Sequence, residues 1–191
     1  MSDVYAMAAE CGFRHAAPLR PDQLVFRPEV RDMCAAGRCG NYNKSWSCPP
    51  ACPSLEEMRL LAAGFDAGVL VQTVVELEDD FDCEGMLEGE RRPKERFRRL
   101  VERLREHFPE KGSFLPMGAG GCGRCGVCTY PDMPCRFPQE QIISMEAYGL
   151  LVSQVCESCG VPYYYGPGTL AYASCILFRT AAPQPPGNQN K

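Results

Sequence analysis

The strongest helical pattern in the chain lies in residues 92–109. Its apolar residues recur at spacings of three and four, so they form one stripe along a helix. The members of this stripe are Phe97, Leu100, Val101, Leu104 and Phe108. Residues 68–77 are rich in valine and contain no proline, which is typical of a strand. The two segments together predict a protein that contains both helices and a sheet.

Four further helices are predicted by shorter patterns. They cover residues 3–11, 30–36, 55–65 and 144–158. Ser54 and Ser144 are the expected N-caps of the last two, because a serine oxygen accepts a hydrogen bond from a free backbone N–H. Glu56 and Glu57 follow the first cap and Glu146 follows the second, where the helix dipole favours carboxylates.

The remaining strands are predicted mainly in the second half of the chain. They lie at residues 13–19, 114–117, 161–165 and 170–178. The last two are expected to form a hairpin around Gly166-Pro167-Gly168, because glycine and proline mark turns. The strand at 114–117 leads the chain into a cysteine-rich segment.

The order of these elements predicts the fold class. Helices and strands are mixed and the final strands are adjacent in sequence. We therefore expect an α+β sandwich with a largely antiparallel sheet, helices on one face and two cysteine-rich metal-binding loops. A length of 191 residues favours one domain, which we assign to residues 1–180. Residues 181–191 predict a disordered tail.

The charge of the chain argues against one class of function. The formal net charge is −4, whereas a nucleic-acid binder usually presents a basic surface. Residues 91–105 are locally basic, but they follow an acidic stretch at residues 76–90. We interpret the pair as a solvated helix beside an acidic loop, whose opposite charges neutralise each other.

Hydrophobicity and cysteine content indicate the cellular location of the protein. No apolar run approaches the roughly 20 residues of a membrane span. Residues 1–15 lack the charged and apolar regions of a signal peptide, so we expect a cytoplasmic protein with no membrane partner. Thiols stay reduced there, and dense cysteine then indicates metal binding or redox chemistry over disulfides. The chain has 13 cysteines, an odd number that cannot pair completely within it.

Two groups of four cysteines are the main candidates for metal ligands. The first group consists of Cys34, Cys39, Cys48 and Cys52. The second group consists of Cys122, Cys125, Cys128 and Cys135. Each group has enough thiolates to hold one metal centre, so we predict all of these residues as metal and cofactor ligands.

The spacing of the second group favours an iron–sulfur cluster. Cys122-x2-Cys125-x2-Cys128 places a thiolate at every third residue, as bacterial ferredoxins do around a 4Fe–4S cluster. The fourth candidate, Cys135, follows after a longer gap, and Pro138 lies shortly beyond it. Structural zinc usually takes two ligand pairs separated by a linker, so zinc is the weaker alternative.

The first group has irregular spacing and is less diagnostic. Its cysteines are separated by four, eight and three residues. A second 4Fe–4S cluster is the favoured interpretation, with zinc, shared ligands or redox use as alternatives. Trp46 precedes Cys48 by two residues, and either shields a metal centre from water or belongs to the core. A radical-SAM signature is excluded because Leu55 occupies the position of its third cysteine.

Four motifs in order also resemble a known family. They are CGNYNKSWSCPPACPSLEEM, GAGGCGRCGVC with the later PCRFP, SMEAYGLLV and YYYGPGTLAYASCILF. They are similar to an uncharacterised bacterial and archaeal family whose members are described only as predicted cysteine-rich metal-binding proteins. The resemblance covers roughly residues 30–178 and implies metal binding by both cysteine groups. It implies no particular reaction.

The other cysteines are expected to be free of metal. Cys156 and Cys159 are interpreted as buried thiols more than as a reactive pair, because they end a predicted helix and do not begin one. Cys175 lies in an apolar strand and is expected in the core. Cys11 and Cys83 receive no role.

No catalytic residues emerge from the sequence. His15 and His107 lie far from both cysteine groups along the chain, so a histidine-rich zinc site is poorly supported. Glu146 and Tyr148 follow the second group and could line a pocket, but helix capping and core packing are the favoured roles.

The leading functional hypothesis is an iron–sulfur protein with two 4Fe–4S clusters that transfers electrons to a redox partner protein. Four thiolates per cluster leave no open iron, which suits electron transfer more than substrate binding. Two alternatives remain. One is a redox enzyme with an open-site cluster, and the other is a structural zinc-binding module.

Overall fold

A computed structural model describes residues 1–79 and 82–180. The helices are α1 (Ser2–Glu10), α2 (Pro28–Ala35), α3 (Leu55–Ala62), α4 (Cys83–His107) and α5 (Val152–Ser158). The strands are β1 (His15–Leu19), β2 (Ala67–Glu76), β3 (Phe114–Gly118), β4 (Ile143–Ser144) and β5 (Thr169–Phe178). The predicted tail, residues 181–191, lies outside the described residues.

The strands form one sheet in the order β1-β2-β5-β3-β4. β2 and β5 pair antiparallel along their full length, with Ala67 opposite Phe178 and Glu76 opposite Thr169. β1 and β3 also pair antiparallel with their long neighbours, and β3 pairs parallel with the short β4. The predicted α+β class with a largely antiparallel sheet is therefore confirmed.

Helices cover both faces of this sheet, so the expectation of helices on one face is wrong. Val69 and Val71 of β2 pack with α1 and α4, whereas Leu70 between them packs with α3 and α5. Successive strand residues point to opposite faces, and β2 and β5 are apolar at consecutive positions. Both faces must therefore be covered, as in a sheet that is buried on each side.

Helix α4 is longer than its apolar stripe predicted. It begins at Cys83 and continues through Pro93, so part of the expected acidic loop is helical. The predicted neutralisation occurs along this helix, where Glu88 pairs with Arg91 at 2.7 Å and Glu90 pairs with Lys94 at 2.5 Å. Across residues 1–79 and 82–180, no helix is both long and apolar enough to cross a membrane.

The predicted helix over residues 144–158 is wrong in its first half. Ser144 belongs to β4, and the next residue, Met145, donates its backbone N–H to Gly118 O at 2.9 Å. Gly149 has a φ of +78°, which favours glycine and ends any helical path. Only α5 is helical, and Ser144 caps a turn by accepting from the Ala147 N–H at 3.1 Å.

The predicted hairpin around Gly166 is also wrong, because residues 161–165 form no strand. β5 pairs instead with β2 and β3. The buried side chain of Gln72 holds residues 161–165 at the sheet. Its Nε2 donates to Pro162 O at 2.9 Å, and its Oε1 accepts from the Tyr165 hydroxyl at 2.7 Å. Side-chain hydrogen bonds thus replace the expected backbone ladder.

The remaining predicted elements are confirmed with small shifts at their ends. The Ser54 cap of α3 is present as a capping box, in which the Ser54 hydroxyl accepts from the Glu57 N–H and the Glu57 carboxylate accepts from the Ser54 N–H. This cap fixes the chain direction directly after Cys52, and so helps to place the first cysteine group.

Leu100 provides a test of this packing. It is fully buried between α4 and the sheet, so Leu100→Ala should lower the free energy of unfolding by about 2–5 kcal/mol through lost burial and the cavity left behind. The matched control is Leu60→Ala in α3, where the side chain is 63% exposed and the change should stay within about 0.5 kcal/mol. Chemical denaturation measures both, and equal effects would contradict the described core.

Candidate metal centre

The first cysteine group lies at the end of α2 and in the loop that follows it. Cys34 is in α2, and the other members lie in residues 36–53, here called the first cysteine loop. Cys48 and Cys52 are 8% and 4% exposed, whereas Cys39 is exposed to solvent. The group thus extends from the core to the surface.

The thiols of this group interact electrostatically. Burial, followed by the charges of Glu146, Cys39 and Cys48, raises the pKa of Cys34 to about 11. Burial also raises the pKa of Cys48, and the charge of Cys39 adds to that effect. Thiolates gathered in this way repel one another, and a bound cation would remove the repulsion.

Arg31 anchors the first cysteine group to the rest of the fold. Its Nε donates to Ala147 O at 2.8 Å, and its Nη2 donates to Pro53 O at 2.5 Å and to Cys52 Sγ at 3.1 Å. One guanidinium therefore connects α2, the end of the first cysteine loop and the turn after β4. Its five fixed donors allow this multiple bonding, which a lysine could not reproduce.

The second cysteine group lies in residues 119–142, here called the second cysteine loop, between β3 and β4. Its four thiols are all partly exposed. Arg98 of α4 supports this loop by donating to Cys122 O at 3.1 Å, and Arg105 does the same at Gln139 O at 3.0 Å. The basic side of α4 thus carries the second cysteine loop.

Hydrogen-bond donors from both cysteine loops act on the thiol of Cys128, and we call this set of donors the Cys128 cradle. Burial acts to raise the pKa of this thiol, but the backbone N–H groups of Tyr130, Trp46 and Thr129 and the hydroxyl of Ser45 bring the pKa below its usual value. Donors aimed at a sulfur favour its thiolate form. Hydrogen bonds of this kind to cysteine sulfur also tune iron–sulfur centres.

The two cysteine loops interlock through the segment Ser45-Trp46-Ser47. The buried Ser47 hydroxyl accepts from the Cys122 N–H at 3.2 Å and lies 3.9 Å from Cys48 Sγ. Trp46 Nε1 donates to Met133 O at 3.0 Å. The segment therefore contacts both cysteine groups at once.

Aromatic packing strengthens the same junction. The rings of Trp46 and Tyr130 meet edge to face with their centroids 4.9 Å apart. The Tyr130 hydroxyl donates to Asn43 Oδ1 at 2.6 Å. Trp46 is thus a contact between the two loops, so neither of its two sequence interpretations describes it fully.

A cleft of about 430 Å³ lies between the cysteine loops. Its walls are formed by Trp46, Ala51 and Pro53 of the first loop and by Pro131, Asp132, Met133, Pro134, Cys135 and Gln141 of the second. Most of these side chains are apolar, and one of them, Cys135, is a predicted ligand. The cleft is large enough for a small molecule beside the second cysteine group.

The donor chemistry of the site suits a thiophilic metal. Over residues 1–79 and 82–180, no three Cys, His, Asp or Glu side chains are grouped so that they could hold a metal ion. The donors are nevertheless gathered. Cys48 and Cys122, from different groups, act on each other electrostatically, and Cys128 is held by donors from both loops. The thiol chemistry of the two loops therefore suits a thiolate-bound metal, whereas the arrangement of the donors does not form a metal site.

The thiols outside the two groups behave largely as expected. Cys156 and Cys175 are fully buried, which confirms their predicted burial, and Cys11 is 2% exposed. Cys159 is partly exposed. The side chain of Cys83 lies outside the described residues.

Several residues near the site were missed by sequence reasoning. Arg31 and Ser47 contact predicted ligands directly, and Ser45 contacts Ser47, but no spacing pattern in the sequence predicts these three residues. Tyr148 is buried in the core as expected, whereas Glu146 caps no helix, because α5 begins only at Val152. These residues are recognised only from their contacts in the folded structure, which the sequence does not show.

The fold and site define a cysteine-rich α+β protein of the metal-binding class. Residues 17–178 match the family model described as "Predicted metal-binding protein (DUF2284)", and the chain belongs to this family. The resemblance seen in the motifs is thereby confirmed, and metal binding is the shared description. No curated protein and no solved structure matches the chain significantly.

The two loops should differ in thiol reactivity. In reduced, metal-free protein, Cys128 should react with iodoacetamide at lower pH than Cys34, because the thiolate reacts and the pKa of Cys128 is lowered whereas that of Cys34 is raised to about 11. Mass spectrometry of peptides after short pulses at increasing pH measures both. Ser45→Ala should move the Cys128 profile to higher pH, and identical profiles for the two thiols would contradict the cradle.

Arg31 should stabilise the fold of the metal-free protein. Arg31→Met removes four hydrogen bonds and leaves the carbonyls of Pro53 and Ala147 without that donor, so the free energy of unfolding should fall by about 2–3 kcal/mol. The control is Arg59→Met, which removes only an exposed pair with Glu56 and should cost less than about 1 kcal/mol. Urea denaturation of the metal-free protein would refute the anchor if both variants behaved alike.

Proposed function

We propose that this chain is a cytoplasmic iron–sulfur protein that binds two 4Fe–4S clusters and transfers electrons. The candidate ligands come from the two cysteine groups, with one centre in each. The observation that carries the proposal is the interlocked pair of cysteine loops, in which the Ser47 hydroxyl accepts from the Cys122 N–H and Trp46 Nε1 donates to Met133 O.

The donor set supports iron–sulfur clusters over zinc. The cradle around Cys128 supplies donors to a thiolate, which stabilises an electron-rich cluster ligand. The Cys122-x2-Cys125-x2-Cys128 run carries the ferredoxin-like spacing. Neither histidine joins the site, since the His15 ring lies at a tilt beside Tyr165 and His107 lies near Asp3. Thiolates are thus the main donors offered.

The arrangement of the loops supports electron transfer. A bound 4Fe–4S cluster takes up and releases single electrons. The first group lies partly in the core, whereas the second cysteine loop is at the surface and exposes Val127 and Met133 by 78% and 62%. Exposed apolar side chains around a charged loop suit transient docking, so we assign this loop to a redox partner protein.

The cleft beside Cys135 favours a second candidate function. If Cys135 is not a ligand, one iron of the second centre is open toward a space of about 430 Å³. The protein would then be a redox enzyme whose substrate binds in this cleft. The third candidate is a structural zinc-binding module, which metal and sulfide analysis distinguishes from the other two.

Metal and sulfide content after strictly anaerobic purification tests the proposal. We expect about eight iron and eight inorganic sulfide per chain and a broad absorption band near ~400 nm. Cys128→Ser should remove about half of the iron, because it takes a thiolate from one of two centres. The matched control is Cys159→Ser, outside both groups, which should keep the full content. Stoichiometric zinc without sulfide would refute the clusters.

Two further measurements separate electron transfer from catalysis. Each centre should be reduced reversibly in a redox titration, with potentials within roughly −700 to +450 mV. Centres that cannot be reduced would count against electron transfer. Cys135→Ser should lower the iron content as Cys128→Ser does. Full retention of the cluster in Cys135→Ser would instead favour the open-site enzyme.

A further inference from the structure

The cleft of about 430 Å³ between the two cysteine loops has a wall that suits one class of ligand. Apolar side chains form most of this wall, and they are Trp46, Ala51, Pro53, Pro131, Met133 and Pro134. Small-molecule sites in proteins have volumes of this order, mostly apolar walls and a few polar groups that orient the ligand. The wall therefore favours a small molecule with an apolar body.

The shape of the cleft is set by contacts within the protein. Trp46 Nε1 donates to Met133 O at 3.0 Å, and the Trp46 ring packs against Tyr130 with centroids 4.9 Å apart. The prolines in the wall have a fixed φ, which limits the motion of the loops that carry them. Little of the wall has to be ordered when a ligand enters, and a preorganised site binds more tightly for the same contacts.

The charge of the cleft comes from Asp132. Among the described residues that line it, Asp132 has the one carboxylate, and no lysine, arginine or histidine is present. Within residues 1–79 and 82–180, the Asp132 carboxylate forms no salt bridge and no side-chain hydrogen bond. A carboxylate without a partner attracts a cation and repels an anion, so the cleft selects for positive charge.

Two further groups in the same wall suit a cation with an organic body. Tryptophan attracts a cation that lies over its ring more strongly than other aromatic side chains do. The half-buried amide of Gln141 offers an oxygen that can accept a hydrogen bond from an ammonium group. Trp46 comes from the first cysteine loop, whereas Asp132 and Gln141 come from the second, so both loops contribute to one site.

We propose that the cleft between the cysteine loops is a binding site for a small organic cation. The apolar body of the ligand lies against Trp46 and the prolines, and its ammonium group lies beside Asp132. The inference rests on the second candidate function, the redox enzyme, in that it names the charge and chemical class of the ligand in the same cleft. Electron transfer does not depend on it.

Three matched probes test the selection for charge. Benzylamine is cationic at neutral pH, benzyl alcohol is neutral and benzoate is anionic, while all three carry the same phenyl ring. Isothermal titration calorimetry of the anaerobically purified full chain should give benzylamine an affinity about fivefold higher than that of benzyl alcohol, with benzoate the weakest. Equal affinities for the three probes, or no binding of benzylamine, would overturn the proposal.

Two substitutions at Asp132 assign this preference to the carboxylate. Asp132→Asn should lower the affinity for benzylamine about fivefold and leave that for benzyl alcohol unchanged. Asp132→Lys should reverse the order, so that benzoate binds more tightly than benzylamine. The matched control is Asp32→Asn, an exposed aspartate of α2 that does not line the cleft, which should keep the wild-type preference. An unchanged preference in both Asp132 variants contradicts the assignment.

A third substitution tests the position of the ligand. Ala51→Leu adds a larger side chain to the wall, so it should weaken the binding of all three probes. Circular dichroism checks that this variant is folded, and wild-type affinities in the folded variant would show that the probes bind elsewhere. If Ala51→Leu does not fold, the reversal expected for Asp132→Lys decides the question, because Asp132 is exposed and tolerates substitution.

Iron and sulfide measured in the same samples separate this inference from the proposed clusters. A chain without iron that still prefers benzylamine supports the cation site and refutes the clusters. A chain with the full iron content but no preference among the probes refutes the cation site and leaves electron transfer in place.

Discussion

The antiparallel pairing of β2 with β5 is the constraint on which the rest of the structure depends. Both strands are ten residues long and pair over their whole length in the middle of the sheet. Their apolar side chains alternate between two cores, so helices must cover both faces. β3 pairs beside β5, and its end at Gly118 begins the second cysteine loop. The position of the candidate site thus follows from the sheet.

A second level of organisation joins the two cysteine groups. Residues of the first cysteine loop provide an acceptor to the Cys122 N–H and a donor to Met133 O, so the two loops are joined by direct hydrogen bonds. Arg31 and Arg98 then fix the pair to the core through backbone carbonyls. Hydrogen bonds and the contact between Trp46 and Tyr130 hold this region together. Metal binding would add covalent restraint where the core adds little.

Local patterns predicted the elements that depend on their own residues. The sequence predicted the apolar stripe of α4, the valine-rich β2 and the Ser54 cap of α3. Each of these features depends on residues that are close together in the sequence. The wrong predictions occur where contacts with distant segments override the local pattern. Residues 144–150 look helical, yet pairing of β4 with β3 takes them out of a helix. Residues 161–165 look like a strand, yet Gln72 binds them by its side chain.

The sequence by itself determined the number and spacing of the thiols that the protein offers, and its motifs carry the family membership. Only the tertiary structure decided which donors meet. Ser47 and Cys122 are far apart along the chain, and nothing in local spacing predicts that the Ser47 hydroxyl accepts from the Cys122 N–H. Such neighbours arise from sheet order and loop contacts, which depend on the whole chain at once.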